Sequence, residues 1–254
     1  MSNVERVYGW HAVRAVLTRA PERVIAVHVA EQRDDPRSRS VLELASRAGF
    51  PVRRLPVAQL TKLLGDVAHQ GVYAEVRPLT PWGEDELLAA LAAEQSAVGQ
   101  PVPLVLVLDG VQDPHNLGAC LRTADACGAL AVVVPRDRAS QLNATVRKVA
   151  AGAAETTPVV AVTNLARSLG LLKEAGLWIV GADATADRLA QDTDLTGALA
   201  LVMGAEGAGL RQLTRQTCDL LVRLPQAGAV ESLNVSVAAG MLLYETMRQR
   251  VVGD

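Results

Sequence analysis

Apolar positions in this chain fall into short unbroken runs separated by stretches with helical spacing, and the character of that alternation changes once, near residue 100. Before the change, Val7 to Leu17 reads as a turn at Gly9 feeding an amphipathic helix that stops before Pro21. Val24 to Val29 and Val52 to Leu55 are strand candidates on either side of a helix, Val41 to Ala48, that Gly49 closes. A short helix from Gln59 to Leu64, the segment Ala68-His69-Gln70-Gly71 and a third strand, Val72 to Val76, complete a small α/β unit of a size that usually binds rather than catalyses.

After the change the alternation becomes regular. Strands are predicted at Leu104–Leu108, Leu130–Val134, Pro158–Val162, Leu177–Val180, Leu199–Met203 and Leu220–Leu224. Helices are predicted at Asn116–Cys127, Asn143–Ala151, Asn164–Glu174, Leu210–Gln216 and Leu233–Arg250, three of them closed by Gly128, Gly152 and Gly176. Continuous apolar strands alternating with helices predict an α/β domain with a mostly parallel sheet covered on both faces. In such sheets ligands lie beyond the carboxyl ends of the strands. The stretch between the two patterns carries Pro78, Pro81 and Gly83, an acidic helical patch from Glu84 to Glu94, and the breaker cluster Gly99-Gln100-Pro101-Val102-Pro103. It reads as a linker with one helix inside it, which places a binding domain at 1–77, a linker at 78–103 and a second domain at 104–254.

Composition narrows the class. The chain has no run of 18 apolar residues and no charged-then-apolar leader, so a cytoplasmic protein without a membrane span is expected. Cys120, Cys127 and Cys218 are odd in number and lack metal-site spacing, which points to reduced thiols rather than a disulfide framework or a structural zinc. Net charge is −2, yet residues 1–80 hold 12 basic against 8 acidic side chains. The basic excess therefore sits in the N-terminal third, where a nucleic-acid partner would bind. Tyr8 and Trp10 could stack on an unpaired base or belong to the core; His11 and His69, each near a glycine, fit turns better than ligand sites.

Three loops at predicted strand ends carry chemistry. Asp109 to Asp125 places Asn116 to cap a helix, with Arg122 between one and two turns further on among Ala119, Cys120, Leu121 and Ala124, so that its guanidinium is directed to the cleft. Val202 to Leu210 is glycine-rich, but its order is G-x-x-G-x-G, no Gly-Lys-Ser/Thr follows, and Glu206 in its middle repels phosphate; the dinucleotide and P-loop readings fail. A carboxylate there suits a hydroxyl, an amine or a guanidinium. Glu231-Ser232-Leu233-Asn234 opens the last helix with polar side chains that serve as a cap, as a site, or as both.

N-L-G-A-C-L-R-T-A-D, L-V-M-G-A-E-G-A-G-L and S-L-N-V-S-V-A-A-G, in that order, resemble the three motifs of the SpoU/TrmH family of ribose 2′-O-methyltransferases within the knotted SPOUT class. Y-G-W-H-A-V, A-H-Q-G and Q-L-N-A-T-V-R-K-V-A-A-G-A-A-E extend the likeness over nearly the whole chain, toward the bacterial members that methylate a guanosine of 23S rRNA. The resemblance implies a C-terminal SPOUT domain with a deep trefoil knot, an L30e-like N-terminal RNA-binding domain, S-adenosylmethionine as methyl donor and a homodimer with its active sites at the interface. It implies that Gly204, Leu224 and Leu233 hold the cofactor, largely through backbone groups, and that Arg122 is the central catalytic residue.

An arginine whose pKa exceeds about 12 is a poor proton acceptor at neutral pH. The side chains fit a scheme without a metal, in which Arg122 clamps the phosphate beside the target ribose and stabilises the developing alkoxide. Asn116 and Asn234 then orient the hydroxyl and the loops, Glu206 fixes Arg122 or a backbone amide, and Ser232 ties the third loop. His115, between Pro114 and Asn116, fits a turn better than a base. Alternatives are the same chemistry on tRNA or on an rRNA adenosine, and a non-catalytic RNA-binding assembly factor.

Overall fold

The structure is a computed structural model that describes residues 4–65, 67–80, 82–97, 102–229 and 232–252. Glu231 and the Gly99-Gln100-Pro101 part of the predicted linker lie outside them. The chain divides into two compact units, residues 1–80 with 151–156 and residues 81–150 with 157–254.

In the first unit, β1 (Glu5–Tyr8), α1 (Trp10–Arg19), β2 (Val24–Ala30), α2 (Pro36–Arg47), β3 (Val52–Leu55), α3 (Val57–Leu64) and β4 (Val72–Val76) build a four-stranded sheet in the order β1-β4-β2-β3. β1 was expected only as a turn. It is a strand because Glu5 to Tyr8 pair antiparallel with Val76 to Tyr73, a partner nearly 70 residues away that local periodicity cannot reveal. One sheet face presents Val27, Val29, Val72, Ala74 and Val76 to Val13, Val16 and Leu17 of α1 and Val41 and Ala45 of α2. On the other face the His28 and Tyr73 rings stack with centroids 4.3 Å apart and planes 3° from parallel. α2 begins earlier than its apolar spacing suggests, because Asp35 accepts from the Arg37 and Ser38 amides and Pro36 occupies the first helical position. Residues 151–156 join this unit through Glu155, whose carboxylate takes Nη1 of buried Arg23 at 3.2 Å.

The second unit opens with α4 (Glu84–Ser96). Although it reads as a linker helix, its Leu87 and Leu91 are buried in the core of this unit. Seven strands follow: β5 (Leu104–Asp109), β6 (Ala131–Pro135), β7 (Val159–Val162), β8 (Trp178–Ala182), β9 (Arg188–Leu189), β10 (Leu199–Gly204) and β11 (Leu220–Arg223). They form one sheet, β7-β6-β5-β10-β8-β11-β9, in which every pairing is parallel. The unbroken apolar runs have their cause here, since both faces are covered. Val105, Val107, Val133, Val160, Val162, Ile179, Ala200 and Val202 pack under α4 and under α7 (Leu165–Glu174). The alternate residues Leu104, Leu106, Leu108, Val132, Val134, Leu199, Leu201 and Met203 are equally buried on the opposite side, where α5 (Pro114–Ala126) touches β6 and α9 (Val235–Val252) touches β10. α6 (Ala144–Val149) lies so close to α5 that a Cβ on Gly118 would stand 2.7 Å from the Val149 Cβ. α8 (Gln212–Thr217) completes the unit.

None of the described helices is long and apolar enough to cross a membrane. Cys120 is fully buried on α5, and burial pushes its thiol up to about 12.

Candidate active site

The carboxyl ends of β5 and β10 lie side by side, Asp109 opposite Gly204 in the parallel register. Beyond Gly204 the chain folds back on itself: Ala205 donates to the Gly209 carbonyl at 3.1 Å and Gly209 to the Ala205 carbonyl at 2.9 Å. A Cβ on Gly204 would sit 2.2 Å from the Gly209 carbonyl carbon, so this position admits only glycine. The loop is anchored by Asp109, 1% exposed, whose carboxylate accepts from the Arg211 amide at 2.9 Å and pairs with the Arg211 guanidinium. Asp109 and Arg211 had no assigned role in the sequence; the one local hint is a carboxylate ending an otherwise unbroken apolar strand.

The fold thereby presents Glu206 to two asparagines from distant helices. Its Oε1 accepts from Asn116 Nδ2 at 3.1 Å, from Asn234 Nδ2 at 2.6 Å and from the Val235 amide at 3.4 Å. Asn234 Nδ2 also donates to Asn116 Oδ1 at 2.9 Å, which closes a three-residue network. Oε2 of Glu206 has no partner among the described residues.

Asn116 does not cap its helix, contrary to expectation. Asp113 does, accepting from the His115 amide at 2.9 Å, with Pro114 in the first helical position where a missing N–H costs nothing. That shift leaves Asn116 in the first turn, 9% exposed, its side chain free to reach across to the other loops. Asn234 is both cap and network member. Its Oδ1 accepts from the Ser236 and Val237 amides at 2.9 and 3.4 Å at the start of α9, while its Nδ2 hydrogens serve Asn116 and Glu206. The amide is therefore fully used, one acceptor and two donors, and its orientation is locked.

Two predicted members stand apart. Arg122 follows Asn116 by six residues, which places it about 9 Å along α5 and about 240° around it. It is exposed, with no ion pair or hydrogen bond among the described residues, and Glu206 is engaged with the asparagines and the Val235 amide instead. It adjoins Thr123, whose Cγ2 lies 3.7 Å from where a Cβ of Gly240 on α9 would be. Ser232 is exposed ahead of α9. His115 is likewise exposed at the helix start, and His69 serves its turn, its Nδ1 accepting from the Gly71 amide at 3.1 Å.

β10 and β11 flank β8, so Gly204 ends one strand and Leu224 follows another two places away in the sheet. Leu233 adjoins Asn234, which is bonded to the glycine loop. Half-buried leucine side chains beside loop backbone N–H and C=O groups are a lining that suits an aromatic base. No group of three or more His, Cys, Asp or Glu side chains placed to hold a metal occurs among the described residues.

The model of the SpoU rRNA Methylase family matches residues 103–244, and the model described as RNA 2′-O ribose methyltransferase substrate binding matches residues 6–82. The chain is 55% identical over 254 residues to the 23S rRNA (guanosine-2′-O-)-methyltransferase RlmB of Pseudomonas aeruginosa, with 98% of each chain covered. A solved RNA 2′-O ribose methyltransferase is 27% identical with a TM-score of 0.72, the match covering 98% of this chain and 90% of that one. The SpoU methyltransferase AviRb from Streptomyces viridochromogenes, solved in complex with the cofactor AdoMet, shares the fold at 24% identity and a TM-score of 0.72, over 98% of this chain and 92% of that one.

Proposed function

Since the chain belongs to the SpoU rRNA Methylase family, we propose that it methylates the ribose 2′-oxygen of a guanosine in 23S rRNA, in the peptidyl-transferase region, with S-adenosylmethionine as donor. The observation that carries this reading is the Asn116–Glu206–Asn234 network, which joins the three motif-bearing loops at the carboxyl edge of the sheet. The deep trefoil knot and the cytoplasmic location implied by the family resemblance belong to the same reading.

Bound S-adenosylmethionine supplies an electrophilic methyl group on a sulfonium. Gly204, Leu224 and Leu233 would hold it through loop backbone, with the two leucine side chains as apolar walls. The chain's own task is alignment and charge, and holding reactants in line is worth roughly 7–11 kcal/mol of barrier. Asn116 and Asn234 fix the loops and orient the hydroxyl, Glu206 holds both asparagines, and Ser232 ties the third loop at its start. Arg122 clamps the adjoining phosphate with its planar fork and stabilises the oxyanion as the proton leaves to phosphate or water.

Arg122 lies about 240° around α5 from Asn116 of its own chain, which supports its acting in the site of a second copy. α9 supplies the surface for one. Its inner face buries Val235, Ala239, Leu242 and Leu243, while Val237, Met241, Tyr244 and Val251 form a second apolar stripe, 43–71% exposed. A helix apolar on both sides requires cover on both sides. A stripe with this spacing, continuous with the α5–α9 seam beside Arg122, suits isologous pairing of two chains.

Ribose-methylation mapping of 23S rRNA from cells lacking the gene tests the reading. Loss of one guanosine 2′-O-methyl mark, restored by the wild-type chain, is expected. An intact rRNA map together with a lost tRNA mark would overturn the substrate.

A further inference from the structure

Within the N-terminal unit lies a cavity of about 460 Å³, lined by Trp10, Arg33, Asp35, Pro36, Arg37 and Gln70. The active-site chemistry uses none of these residues. Its size is in the range of small-molecule pockets, roughly 300–1,000 Å³. Three separate segments build it: the start of α1, the loop and first turn of α2, and the turn before β4.

The lining is specific in chemistry. Trp10, 5% exposed, and Pro36 are apolar walls. Two arginines and one aspartate line it, and the carboxylate is occupied: Asp35 caps α2 through the Arg37 and Ser38 amides and takes Arg33 Nη1 at 3.1 Å. The Arg37 guanidinium has no partner among the described residues, and the cavity retains net positive charge. Gln70 holds a left-handed backbone, φ 54, which few side chains other than glycine adopt. Its Oε1 accepts from the Trp10 amide at 3.4 Å, while Nε2 has no partner among the described residues. An apolar slot with a free amide donor and an unpaired guanidinium is the equipment for one unstacked nucleotide: base in the slot, base edge on the amide, phosphate on the guanidinium.

We propose that this cavity receives a single unpaired nucleotide of the RNA substrate, its phosphate on Arg37 beside Arg33 and its base edge on Gln70. This deepens the rRNA reading and rests on it. The site positions the RNA and takes no part in methyl transfer.

The test uses the full chain, an in vitro 23S rRNA transcript and the double variant Arg37→Ala/Gln70→Ala, whose two side chains are exposed. Rising KM at constant kcat, RNA binding about tenfold weaker, and a log–log salt slope smaller by about one are expected. S-adenosylmethionine binding by calorimetry should equal wild type, which shows that the variant is folded. Arg37→Lys should recover the salt slope but not the full affinity, since an ammonium keeps the charge and loses the fork. Unchanged RNA affinity, salt slope and KM in the double variant, with an active wild type, overturn the cavity as an RNA site. A wild-type chain that transfers no methyl group to the transcript overturns the rRNA reading itself.

Discussion

Glu206 and Asn234 are joined by a 2.6 Å hydrogen bond that ties the glycine loop after β10 to the residue capping α9. Because the same asparagine also caps that helix, the stability of α9 and the geometry of the site depend on a single side chain.

The two roles separate by substitution. Asn234→Ala removes both, and loss of a cap costs about 1 kcal/mol. Asn234→Ser keeps a capping oxygen but has no amide to donate to Glu206 and Asn116. It is expected to unfold near the wild-type temperature while single-turnover methylation falls on the order of tenfold or more, the size of one lost orienting contact. Wild-type turnover in Asn234→Ser would show that the network is only a helix device.

Arg122 yields a prediction about partnership. Arg122→Ala should abolish turnover with little change in thermal stability, because the side chain is exposed. Arg122→Lys should remain on the order of a hundredfold slow, since the fork is lost. If the arginine acts in the partner's site, mixing Arg122→Ala with Asn116→Ala chains and allowing exchange places one intact site in each mixed dimer. Partial recovery of activity is the expected result; no recovery despite demonstrated exchange would place Arg122 in its own chain's site.

The exposed stripe of α9 is tested by charge. Tyr244→Glu with Met241→Glu should halve the mass seen by light scattering, without loss of far-ultraviolet helix signal, because these side chains lie outside the core. A wild-type chain that is monomeric at micromolar concentration would remove the basis for dimer formation.

A fourth prediction concerns pH. His28 is 3% exposed, neither ring nitrogen has a hydrogen-bond partner among the described residues, and Glu75 Oε2 at 3.7 Å is too far for one. Burial holds its pKa below the ordinary 6.5, against the pull of Glu75 and with help from Arg53 and Arg6. The folded state thus binds fewer protons than the unfolded one near that pH. Stability should be full above 6.5 and decline as pH falls from there toward the lowered value. His28→Phe, which keeps a ring against Tyr73, should flatten that decline in denaturant titrations between pH 7.5 and 5.5. An equal slope in both proteins would assign the dependence to other groups.

Much of this molecule is written in local pattern. Unbroken apolar runs such as Leu104–Leu108 and Leu199–Met203 imply a parallel sheet covered on both faces, and the seven strands among the described residues of the second unit pair in parallel. The order of the three motifs is also a property of the chain alone, and it identifies the family. Helix starts were less legible. Asn116 looks like a cap because it precedes an apolar stretch, yet Asp113 and Pro114 nucleate the helix one turn earlier.

Side-chain partnership was decided by tertiary structure. Asn116, Glu206 and Asn234 stand 90, 118 and 28 residues apart in the three pairs that bond, and no periodicity reports which of many polar groups will meet. The parallel register of β5 with β10 brings Asp109 level with Gly204, and only then can Glu206 reach both asparagines. The same holds for β1, which is a strand because β4 is there to accept it, and for Arg122, whose helix phase points it away from its own network. Local sequence sets what each segment prefers to be, through backbone sterics and apolar spacing; which polar atoms share a hydrogen bond depends on long-range packing that only the folded chain contains.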